Sequence, residues 1–89
     1  MNRVFLSGKV RKEPQVAYTP KGRKIITFPL WVDEGGFSVE VVSGGEALEG
    51  GMGRPATGNV LVAGELVRAS LRSREVMRVK ASKILWMEE

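Results

Sequence analysis

Apolar Val4, Leu6 and Val10, with the small Gly8, alternate along the first ten residues with Arg3, Phe5, Ser7 and Lys9. A period of two is what a strand with one face on a core requires. The other face of this first strand is polar and basic, with Phe5 the exception, a ring for a partner chain to cover. Pro14 interrupts the run and Val16 to Tyr18 resume an extended path. Thr19-Pro20-Lys21-Gly22 then places Pro second and Gly fourth in a type I turn, which predicts a hairpin. Its return strand carries Ile26, Phe28, Leu30 and Val32 on one side and Ile25, Thr27, Pro29 and Trp31 on the other. Pro29 lacks the N–H a ladder needs, so this stretch is expected at a local edge or bulge.

Asp33-Glu34-Gly35-Gly36 reads as a turn into a third strand, Phe37 to Val42, with Phe37, Val39 and Val41 on one face. Residues 43–58 break the pattern and hold six of the eleven glycines. At most Glu46 to Glu49 form one helical turn there, too short to stand alone. Asn59 to Val67 and Val76 to Met87 supply a fourth and a fifth strand, joined through a short connection, Arg68 to Glu75. In the last strand the parity of Met77, Val79 and Ala81 would pass to charged Lys83. A bulge near Ser82 resets it and turns Ile84 and Trp86 inward. The prediction is one all-β domain over residues 1–89: a five-stranded Greek-key barrel of the oligonucleotide/oligosaccharide-binding (OB) type with a vestigial helix between strands three and four. An SH3-like small barrel has the same strand count.

Charge sharpens this picture. Residues 1–32 carry seven Lys/Arg against Glu13, and residues 33–53 carry five acids and no base. Residues 54–87 carry seven Lys/Arg against Glu65 and Glu75, and Glu88 and Glu89 follow. Two basic limbs are therefore expected to share a surface, with the acidic middle elsewhere. With no Cys and no His, the chain lacks a thiol nucleophile, an imidazole base and the usual zinc ligands, so an enzyme is the least favoured class. Asp33 with Glu34, or Glu46 with Glu49, has no supporting ligand set. Gly50-Gly51-Met52-Gly53 lacks the Lys-Ser/Thr of a phosphate loop. No apolar run approaches the ~20 residues a bilayer span needs, and the N-terminus has no signal-peptide block, so a cytoplasmic protein without membrane partners is expected.

The residues Met1, Asn2, Arg3, Val4, Leu6, Gly8, Pro14, Tyr18, Thr19, Pro20, Gly22, Phe28 and Leu30 match, in order, the opening of bacterial single-stranded DNA-binding proteins, which this chain resembles. The likeness extends to Val60–Leu66 and to the closing strand Val79–Met87. It implies the OB barrel, single-stranded DNA or RNA as ligand, self-association through the first strand as a homodimer or homotetramer, and association with the nucleoid and with replication or repair proteins. Three departures go with it: a short fourth-to-fifth hairpin, a nearly absent helix after the third strand, and a chain that stops at Glu89 where the family is expected to add an acidic Phe-tipped tail; Leu71 also stands where the family often has Trp, and Ser43 where it often has Phe. The same losses mark primosomal replication protein N, which makes a restart factor the leading alternative. A protein-interaction adaptor is the reading from another class.

Binding single strands needs cations along the phosphate path and flat rings for the bases. The cations expected to serve are Lys9, Arg11, Lys12, Lys21, Arg23 and Lys24 from the first hairpin, Arg68, Arg72 and Arg74 from the fourth-to-fifth connection, and Arg78 and Lys80 from the last strand. The alternative for each is a solvated charge. Trp31 is the favoured stacking ring because its parity is opposite to the core set; packing under a loop or in a subunit contact is its other reading. Phe37 falls where the family carries a stacking Trp, yet its alternation with Val39 and Val41 suits a core residue equally. Tyr18 supports the hairpin or meets nucleic acid. Trp86 and Phe28 read as core.

Overall fold

The computed structural model describes residues 1–44, 58–71 and 73–87. Six strands run in chain order: β1 Val4–Val10, β2 Gln15–Tyr18, β3 Lys24–Val32, β4 Phe37–Gly44, β5 Gly58–Leu71 and β6 Arg74–Met87. Neighbours lie in the order β1-β5-β6-β4-β3-β2, and β1 also pairs with β3, so five strands close a ring and β2 hangs from its side. All pairings are antiparallel except β4 with β6. This is the predicted OB barrel. The expected helical turn at Glu46–Glu49 lies outside the described residues.

Closure happens at the end of β1, where Lys9 and Val10, still paired with β5 through Asn59 and Gly58, also pair with Trp31 and Leu30 of β3. Gly8 sits at this crossing, and a Cβ there would run into the backbone carbonyl of Trp31. The period-2 alternation of β3 appears directly in burial: Ile26, Phe28, Leu30 and Val32 are buried while the residues between them are not. They meet Val10, Val41, Val60, Val62, Val79, Ala81 and Ile84 in one core, with Trp86 packed partly buried against it. Pro29 lies between Thr27, paired with β2, and Leu30, paired with β1, where β3 has no second neighbour; its missing N–H costs no ladder bond there.

The turns follow their chemistry. Gly22 N–H donates to the Thr19 carbonyl (2.8 Å) and Gly22 has φ +82°, the left-handed residue that completes a type I turn with its bulge. Gly36, at φ +67°, donates to the Val32 carbonyl (2.9 Å) and turns β3 into β4. The bulge is where the sequence places it. Ala63 pairs with Lys83 and Gly64 with Ala81, leaving Ser82 unpaired, and burial passes from Val79 and Ala81 to Ile84.

The fourth-to-fifth connection is not the short loop expected. Strand pairing continues from Val67/Arg78 through to Leu71/Arg74, so Arg68 to Leu71 and Arg74 to Glu75 extend the two strands as an arm. Ladder hydrogen bonds to a partner directly across outweigh the weak strand propensity of Arg-Ala-Ser there, which strand-by-strand reading does not count.

Candidate nucleic-acid interface

Residues directly opposite in a ladder point to the same side of a sheet. Lys9, Trp31 and Ser38 therefore share the outer face of the ring. Two residues further along β4, Glu40 joins that face, and the parallel pairing with β6 brings Arg78 and Lys80 beside Glu40 and Val42. Trp31 is half-buried under the Arg11 guanidinium, whose carbon stands 4.4 Å from the ring centroid. That is a cation–π contact, and it holds the indole facing outward from the barrel. A flat ring, one cation stacked on it and a second at Lys9 can take a base together with its phosphate.

The cations divide into three groups. Lys9, Arg11, Arg78 and Lys80 lie around the Trp31 wall. Lys12 is exposed on the link from β1 to β2, and Lys21, Arg23 and Lys24 cluster at the far end of the β2–β3 hairpin. Lys24 is seven residues from Trp31 along β3, roughly 23 Å at 3.3 Å per residue. Arg68 and Arg74 stand on the β5–β6 arm, and Arg72 lies outside the described residues.

Among the described residues three of these cations are already paired. Lys9 Nζ is 3.8 Å from Asp33 Oδ2, and Arg68 Nη1 is 3.7 Å from Glu75 Oε1. Arg78 Nε stands 2.6 Å from Glu40 Oε1; both atoms are buried and in close charge contact without the alignment of a hydrogen bond. Asp33 and Glu40 belong to the acidic middle, whose described part therefore does not sit apart from the basic limbs as expected. The reason is topological: β4 lies between β3 and β6, so its charges stand among theirs.

Phe37 does not join Trp31. It pairs with buried Val32 and shares the core-facing parity of Val39 and Val41, but at the strand end it is 46% exposed with its ring against Gly35. Ser43 is buried on the same parity, its hydroxyl donating to the Gly44 carbonyl. Tyr18 is exposed on β2, on the parity of Val16 and away from the Trp31 face. Arg3, which the alternation alone does not single out as a binding residue, lies on the outer face of the ring beyond Phe5.

The whole chain superposes on the wild-type single-stranded DNA binding protein from Thermus aquaticus with a TM-score of 0.84 and 28% identity, and on a deletion variant of it at 0.83 and 29%. The chain is similar to the bacterial single-stranded DNA-binding proteins. It spans about two fifths of the Thermus aquaticus chains, 41% and 42%. The dimeric N-terminal domain of PriB from Thermoanaerobacter tencongensis matches at TM-score 0.77 and 23% identity, covering 99% of this chain and 98% of that one. The SSB domain of a Synechococcus sp. protein matches at 0.78 and 17%, covering 96% and 94%. At those two identities the likeness is one of fold. No family model and no curated protein matches the sequence. Among the described residues no three His, Cys, Asp or Glu side chains gather as a metal site, and no helix is long and apolar enough to cross a membrane.

Proposed function

We propose that this chain binds single-stranded DNA with little sequence preference, as a non-enzymatic OB-fold protein of replication, recombination or repair in the cytoplasm. The observation that carries the reading is Trp31 on the outer wall of a ring shared with the Thermus aquaticus protein, stacked by Arg11 and flanked by Lys9. The indole takes a base, and Arg11, Lys9, Arg78 and Lys80 neutralise the phosphates on either side. Lys12, Lys21, Arg23, Lys24, Arg68, Arg72 and Arg74 extend the field outward and steer the strand in. Self-association through β1 belongs to the same reading. From Val4 to Gly8 its second edge has no strand partner among the described residues, and an open edge accepts another strand.

Titration with oligothymidine beside duplex DNA tests the proposal. Binding is expected to quench tryptophan fluorescence and to weaken with salt, by about 0.7 in log affinity per neutralised phosphate for each decade of salt. Trp31→Ala is expected to cost ~1–3 kcal/mol, the worth of one stacked base, and to abolish most of the quenching, because Trp86 is packed against the core. Quenching that survives this substitution assigns the ring wrongly; neither quenching nor a mobility shift at low salt favours the adaptor reading.

A further inference from the structure

Beyond the Trp31 wall the outer face continues over β6 and β5 to β1, and there the bulge at Ser82 opens a depression of about 390 Å³ lined by Arg3, Gly64, Glu65, Lys80, Ala81 and Ser82. Gly64 is required at its floor, since a Cβ would collide with the backbone of Lys80 and Ala81. Arg3 and Lys80 put two cations on its rim against one carboxylate, Glu65, which faces Lys80 across the ladder. Arg3 does not stand at a loose end. Asn2 Nδ2 donates to the Leu66 carbonyl (2.8 Å) and the Leu66 N–H donates to Asn2 Oδ1 (2.9 Å), so the side-chain amide continues the β1–β5 ladder two residues past the Val4/Gly64 pair. A two-point clamp to the neighbouring strand holds the backbone of Arg3 beside Glu65. Among the described residues neither Arg3 nor Lys80 has an ion pair, so both are available to an anion.

Resting on the reading of this chain as a single-strand binder, we infer that the bulge depression is a second phosphate subsite. It takes a backbone phosphate of a strand that has crossed from Trp31 over Arg78 and Lys80, with Arg3 as its forked donor and Asn2 as the positioning residue that aims it. A planar guanidinium suits two oxygens of one phosphate, and Lys80 adds a point charge. Glu65 opposes the anion and sets the occupancy of the subsite.

Oligothymidines of about 5 and about 16 nucleotides, spanning the range one OB barrel occupies, separate the two subsites. Arg3→Ala is expected to leave the short strand's affinity and Trp31 quenching as in the wild type. For the long strand it is expected to lower affinity by about five-fold at 0.1 M salt and flatten the salt slope by about 0.7, one phosphate's share. Asn2→Ala is expected to reproduce a large part of that loss, and Glu65→Gln to act in the opposite direction, tightening the long strand alone. A change of opposite sign on losing the carboxylate is not what a merely structural role for the depression produces. Equal effects of Arg3→Ala on both lengths, or none on either, overturn the subsite while leaving the Trp31 reading intact. Failure of the wild-type chain to bind either strand overturns the function itself.

Discussion

At the scale of single residues, two positions show how local chemistry meets the fold. Trp31 is read from its parity in β3, and its guanidinium neighbour is not, because Arg11 reaches it only after β1 has curled back onto β3. Ser73 at the arm tip has φ +68°, a left-handed conformation that costs an L-residue about 1–2 kcal/mol. Glycine adopts it without that cost but loses more backbone entropy on folding, about 0.5–1 kcal/mol. Ser73→Gly is therefore expected to stabilise the protein by roughly 0.5 kcal/mol, measured as a rise in the urea midpoint with the m-value unchanged. A destabilised variant would mean that the Ser73 hydroxyl supports the turn.

At the scale of elements, the hairpins were largely legible in advance. Thr19-Pro20-Lys21-Gly22 and Asp33-Glu34-Gly35-Gly36 are turns whose hydrogen bonds close over three or four residues, so sequence carries them whole. The shift of register at Ser82 was legible too, because an apolar period that would otherwise meet Lys83 needs one extra residue. The length of the β5–β6 arm was not, since its outer part is specified by ladder pairing rather than by alternation. Nor was the ion pair of Arg78 with Glu40, which exists only because β4 and β6 run side by side in parallel. Glu40→Gln frees Arg78 on the Trp31 wall. It is expected to strengthen binding of oligothymidine and steepen the salt slope by up to about 0.7. It also removes the charge partner of a half-buried guanidinium, so thermal stability is expected to fall. Unchanged affinity would place Arg78 off the path of the strand.

At the scale of the whole molecule, a ring of five strands closes around eleven buried apolar side chains among the described residues, a small core. Chains of this size bury only about 60–65% of their unfolded surface, so association would add to a thin margin of stability. The open edge of β1 and the exposed ring of Phe5, 71% accessible on that strand, belong to the same face of this need. Sedimentation equilibrium is expected to return the mass of a dimer or tetramer, and Phe5→Glu to shift it toward the monomer. A monomeric wild type across the micromolar range removes self-association from the proposed function without touching the Trp31 wall.

Taken by itself, the amino-acid sequence determined most of the residues that face inward, the turns at Thr19–Gly22 and Asp33–Gly36, and where one strand must slip. Alternation, glycine at positive φ and a missing proline N–H act over two to four residues and need no knowledge of the rest. Only the tertiary structure decided which charges meet. Closing the ring sets Arg11 over Trp31, Asp33 beside Lys9 and Glu40 against Arg78, and the Asn2 clamp holds Arg3 at the bulge. Coulomb interactions depend on distance in space, and residues far apart along the chain become neighbours only when strands pair.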